Sequence, residues 1–210
     1  MDTDGWALPE ALRGSTFTTA EARALRVGKR RLRSSRARSL HHGLWADAEL
    51  ELTFAQRCRI ALEAIGNDGW ISHASGAQLL QLALPPRLRA LDRIDVTVPA
   101  PARAPRGKGI NGRQRLAESV ATASLDGLQV VTAAQAFVDG CDYLEFADLV
   151  ALGDSIVRER APLATPEALV AAIEAHAGKR LHRQLVSAAH AIRPRAYSRP
   201  ETITRLELRR

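Results

Sequence analysis

The chain has 210 residues, 46% hydrophobic and 25% charged, with a formal net charge of +7. That length supports a sizeable core and two domains, and the composition excludes a wholly disordered chain. No apolar run approaches the roughly 20 residues of a membrane span, and the acidic start MDTDGWALPE is unlike a signal peptide, so the expectation is a soluble cytoplasmic protein without membrane partners.

The positive charge is local. Eight basic residues and no Asp or Glu lie between Ala22 and Ala46, and the +7 less those eight leaves −1 for everything else. Only Lys29, Lys108 and Lys179 are lysine. That arginine bias fits both a GC-rich genome and selection for phosphate contacts. Aromatic residues make up only 4%, so the core must be Leu, Val, Ile and Ala. Cys58 and Cys141 sit far apart in apolar, helix-like segments and read as free buried thiols.

In chain order, Trp6, Ala7, Leu8, Ala11 and Leu12 predict one or two helical turns after Pro9. Thr18-Thr19-Ala20-Glu21 has the spacing of a capping box that opens a helix. Ala22, Leu25 and Val27 are expected to face inward, and Gly28 to supply the turn. Lys29 to about Ser35 predicts a second helix anchored by Leu32, with Arg30, Arg31, Arg33 and Ser34 on its polar face. Leu40 to Trp45 predicts a hairpin.

Asp47 to Leu52 is an acidic connector. Thr53 then opens an amphipathic helix with Phe54, Cys58, Ala61, Leu62 and Ile65 on one face, ended by Gly66. Gly69-Trp70-Ile71 predicts a short strand, and Ser72 an N-cap for a helix that Pro85-Pro86 stops. Ile94 to Val98 alternates as a strand. Pro99 to Arg115 carries five cations and no acid, and its Asn111-Gly112 is a strong hairpin signal. Gly127 to Val131 predicts another strand. Beyond Ala133 the pattern is helical, over about 133–141, 145–160, 166–177, 180–191 and 199–209. The fold class expected is α+β: an N-terminal winged helix-turn-helix, a small, mostly antiparallel sheet packed with helices, and a helical C-terminal part.

A helix that enters the major groove needs a polar exposed face and flanking cations. Lys29 to Arg38 offers both, and Arg can bond guanine bidentately. The DNA-binding candidates are Thr19, Lys29, Arg30, Arg31, Arg33, Ser34, Arg36, Arg38 and His42. A solvated basic face fits the same residues. Pro99 to Arg115 stays open between a second phosphate contact and a solvated loop. Asp139, Asp142, Glu145 and Asp148 read as a solvated acidic surface, with docking against the basic module as the alternative. Ser72-His73 lacks the G-x-S-x-G context of a nucleophile. Neither a phosphate-binding glycine loop nor a zinc-like ligand spacing is present, so no catalytic residue, metal or cofactor is expected.

These segments resemble the actinobacterial AbiEi-type antitoxins of type IV toxin–antitoxin systems. FTTAEARALRVGKRRLRSSRARSLHHGLW resembles that family's winged helix-turn-helix, and CRIALEAI, ISHASGAQLLQLALP, IDVTVP, GLQVVTAAQAFVDG and LEFADLVALGDSIVR resemble its middle pieces. Gln135-Ala136 stands where the family commonly has Arg-Thr. The resemblance implies a non-enzymatic protein that binds double-stranded DNA through residues 1–48, represses its own operon, and counters a nucleotidyltransferase-like toxin through residues 49–195. SRPETITRLELRR, from Ser198, resembles the opening helix of the Vsr-like endonuclease domain often fused to such proteins. Residues 196–210 are then a remnant of that domain. The alternative implied is a truncated Vsr-like nuclease whose active site lies outside this chain.

Overall fold

The computed structural model describes residues 7–33, 36–89, 92–196 and 198–208. It is an α+β fold with two sheets, each packed against helices.

The N-terminal sheet has three strands, β1 (Thr16–Thr18), β2 (Ala37–His41) and β3 (Leu44–Asp47), in the antiparallel order β1-β3-β2. Between β1 and β2 lie α1 (Thr19–Ala24) and the single-turn α2 (Lys29–Leu32). A single 3₁₀ turn at Glu10–Leu12 precedes them, within the one or two turns expected after Pro9. Thr18 caps α1 as its spacing predicts. Its hydroxyl accepts from the Glu21 amide at 3.1 Å, and the Glu21 carboxylate accepts from the Thr18 amide at 2.7 Å. The Thr18 amide, and then the Thr18 hydroxyl at 2.9 Å, hold the Glu21 carboxyl below its ordinary range.

Leu8, Leu12, Phe17, Ala22, Val27, Leu32 and Ala37 form the core of this body, with Trp45 against it. Leu25 departs from expectation and is 42% exposed. The helix has already stopped at Ala24, and Arg26 takes a left-handed backbone at φ +59 that swings Val27 inward instead. Gly28 keeps φ −79 and is the N-cap of α2, so the turn is made two residues before it.

The larger sheet runs in the order β6-β7-β5-β4-β9-β8. Its strands are β4 (Trp70–Ile71), β5 (Ile94–Pro99), β6 (Arg106–Gly107), β7 (Ile110–Arg115), β8 (Thr122–Leu125) and β9 (Leu128–Val131). It is mixed. Three of its five pairings are antiparallel, whereas β5–β7 and β4–β9 are parallel. Helices α3 (Phe54–Glu63), α4 (His73–Leu79) and α5 (Pro86–Arg89) precede β5. The chain then closes with α6 (Ala133–Gly140), α7 (Phe146–Ile156), α8 (Pro166–Glu174), α9 (His182–Ala191) and α10 (Arg199–Glu207). Thr53, Thr132, Thr165 and Ser198 N-cap α3, α6, α8 and α10 through their hydroxyls.

The hairpin turn expected at Asn111-Gly112 falls earlier, at Lys108-Gly109, because β6 pairs Gly107 with Ile110. Asn111 instead donates to the Asp95 carboxylate at 2.6 Å. Gly112 sits inside β7, where a Cβ would lie 1.9 Å from the Pro105 carbonyl oxygen. Close backbone approach is the reason for glycine there.

The acidic stretch is also unlike its expectation. Asp139 and Asp148 are buried, as is Asp154. Asp148 is paired with Arg199 at 2.6 Å and Arg87 at 3.3 Å, and Asp154 with Arg205 at 2.8 Å. These carboxylates therefore tie α10 and α5 to α7 instead of forming a solvated face, since a buried charge must be paired. Asp142 and Glu145 are exposed as expected.

Candidate nucleic-acid interface

The basic module places its charges by helix geometry. Leu32 is buried at 1% exposure, which turns Lys29, Arg30 and Arg33 outward. His42 is exposed at the tip of the β2–β3 hairpin, and Gly43 beside it takes the left-handed φ of +76 that this two-residue turn requires. Thr19 braces that tip against α1. Its hydroxyl donates to the Gly43 carbonyl at 3.2 Å and accepts from the Trp45 indole N–H at 3.1 Å.

Three of the candidate arginines are engaged within the chain itself. Arg31 is half-buried and its guanidinium donates to the Ala7 carbonyl, so it fastens the segment that precedes the 3₁₀ turn. Arg38 donates to the Leu50 carbonyl and Arg36 pairs with Glu49 at 3.6 Å. Thr19, Arg31 and Arg38 thus also hold local architecture, through partners that lie outside the local turn. Ser34 lies outside the described residues.

A groove of about 730 Å³ opens beside α2 and the hairpin. It brings together Thr19, Lys29, Arg33 and His42 from the predicted set. Sequence reasoning did not single out Arg23, Arg106 or Lys108 individually, yet all three line it. The signal for the last two was present in the acid-free run Pro99 to Arg115. No carboxylate lines the groove among the described residues. Like charges held together without counter-charge raise the local potential and favour an anionic occupant.

A second polar group lies deep in the larger body. Ser72 stands at the N-cap position of α4 but makes no side-chain cap bond. Its hydroxyl meets Thr97 Oγ1 at 2.7 Å and His73 Nδ1 at 3.0 Å. Two buried carboxylates cap the helix in its place. Asp139 accepts from the His73 amide at 3.3 Å, and Asp95 from the Ser75 amide at 3.3 Å. Negative charge at a helix N-terminus is favourable. His73 adopts φ +48 to fit and is 1% exposed.

The group is compositionally like a Ser-His-Asp triad but built differently. Asp139 Oδ2 is 3.5 Å from His73 Nδ1, the same nitrogen that meets Ser72. A working triad places acid and nucleophile on opposite ring nitrogens. Ser72 is also 1% exposed, without surface access for a substrate. On its outer side Asp142 is held below its ordinary pKa by His73 and Arg115.

Among the described residues no helix is long and apolar enough to cross a membrane, and no group of three acidic, His or Cys side chains is arranged to hold a metal ion. No known family profile matches the chain, and no curated protein matches it. Among solved structures, the crystal structure of the RV2827C protein from Mycobacterium tuberculosis is similar. It shares 18% identity at a TM-score of 0.49, covering 90% of this chain and 68% of that one.

Proposed function

We propose that this chain is a non-catalytic, double-stranded-DNA-binding regulator of the antitoxin type, docking through a winged helix-turn-helix at its N-terminus. The observation that carries the reading is the exposed, acid-free cationic face formed by α2 and the β2–β3 hairpin. The order α1, tight turn, α2, hairpin supports a winged module. The antitoxin role rests on the sequence resemblance to AbiEi-type proteins. It assigns toxin neutralisation to the larger body and operon repression to the basic one.

The short reading helix shapes what such binding would look like. One turn of four residues rises roughly 6 Å, so only two or three side chains reach base edges. Phosphate contacts then supply most of the affinity, which falls steeply with salt. The test is fluorescence anisotropy on a duplex across a salt series, comparing the native chain with the K29A/R33A variant. The log–log salt slope should shrink by about 1.8, near 0.9 for each phosphate no longer neutralised. Unchanged duplex affinity in that variant would remove α2 from the interface and sink the proposal. For the antitoxin half, co-expression with a nucleotidyltransferase-like toxin should restore growth. Continued growth arrest would leave a DNA-binding regulator without antitoxin activity.

A further inference from the structure

The acid-free run from Pro99 to Arg115 does not stand off as a solvated loop. Its later part, Arg106 to Arg115, is folded by β6 and β7 into a hairpin whose turn abuts the wing strand β2. His41 is 7% exposed, and its Nδ1 lies 2.9 Å from the Lys108 carbonyl oxygen. A carbonyl only accepts, so this bond assigns the proton to Nδ1. Burial holds the imidazole pKa below its ordinary value, against the opposing pull of the Lys108 carbonyl.

The neighbouring residue lies against the same strand. Gly109 has φ +77, and a Cβ there would sit 3.5 Å from both the Leu40 carbonyl oxygen and His41 Cε1. The hairpin is therefore seated against β2. The seating aims Arg106 and Lys108 into the groove that already holds Arg23, Lys29 and Arg33. Cations more than 60 positions apart in the chain thus share one acid-free wall-and-floor arrangement. Sequence proximity cannot account for that convergence, and the mutual repulsion of the five charges is relieved by a polyanion.

We infer that the β6–β7 hairpin is a second phosphate-binding wall of the duplex site. Arg106 and Lys108 grip the DNA backbone beside the groove that α2 enters. The inference rests on the DNA-binding reading above and adds a contact from the larger body. That body then sets the footprint and orientation of the module on DNA, and is more than a passenger.

The experiment compares four full-length proteins by anisotropy on one duplex: native, K29A/R33A, R106A/K108A, and R180A/R183A. The last removes the same charge from exposed positions outside the groove. Circular dichroism melting confirms that each is folded, which exposed surface positions favour. R106A/K108A should lose about 1.8 from the salt slope, so its affinity deficit narrows about 12-fold between roughly 50 and 200 mM salt. R180A/R183A should keep the native slope.

If R106A/K108A matches R180A/R183A while K29A/R33A loses binding, the second wall is overturned and the DNA-binding reading survives. If the native chain shows no duplex affinity, both fall together.

Discussion

Replacing Leu32 by Ala tests how the reading helix is held. α2 is one turn of four residues, far below the ~12–15 at which an isolated helix sustains itself. Three backbone bonds close it: the Arg31 and Leu32 amides on the Gly28 carbonyl at 3.0 and 3.2 Å, and the Arg33 amide on Lys29 at 3.1 Å. Its one core anchor is Leu32, at 1% exposure in a small cluster with Leu8, Phe17 and Val27. Truncation removes three carbons, about 2.4 kcal/mol at ~0.8 each. The cavity left behind raises the loss to about 3 kcal/mol.

Urea unfolding followed by hydrogen exchange at the Arg31, Leu32 and Arg33 amides reads both the loss and its location. Leu25→Ala is the internal comparison. Helical spacing puts Leu25 in the core, but it is 42% exposed, so its truncation should cost under about 0.5 kcal/mol. Equal losses at Leu25 and Leu32, or unchanged exchange at α2 in L32A, would refute the packing argument.

Asp154→Ala should detach α10. The carboxylate, 1% exposed, accepts from Arg205 at 2.8 Å, Thr202 at 2.6 Å and the Arg193 amide at 2.6 Å. Stranding a half-buried guanidinium costs about 3–5 kcal/mol, seen as a lower urea midpoint and faster tryptic cleavage near Arg205. A loss below about 1 kcal/mol would mean the network relaxes into water. The thiols give a pH dependence. Burial, the largest cause in both, raises Cys58 from 9.0 to about 12 and Cys141 to about 11. The folded state therefore holds these protons more tightly than the unfolded chain. Their contribution is complete below pH 9.0 and is lost as pH climbs through about 11 for Cys141 and about 12 for Cys58. A C58A/C141A variant should show a flatter fall in urea midpoint above pH 9.0. An unchanged alkaline slope would place the loss elsewhere.

Features that close within three or four residues were legible without coordinates. The Thr18–Glu21 capping box, Thr53 as a helix start, and the five helices from Ala133 onward depend on hydroxyls, amides and apolar periodicity that lie along one turn. The confinement of net charge to Ala22–Ala46 is likewise a property of composition alone. Features whose partners arrive from a distant segment were not legible. Ser72 has the look of an N-cap, but Asp139, 66 positions from His73, takes that duty. Asp148 looks like a surface acid until α10 brings Arg199 against it. Arg31 looks like a groove residue until the Ala7 carbonyl claims it. The same holds for the groove itself. The sequence determines that α2 is basic, because its own turn contains the cations. Only tertiary structure decides that Arg106 and Lys108 stand beside it, because the His41–Lys108 contact spans 67 positions and no local pattern encodes a bond of that reach.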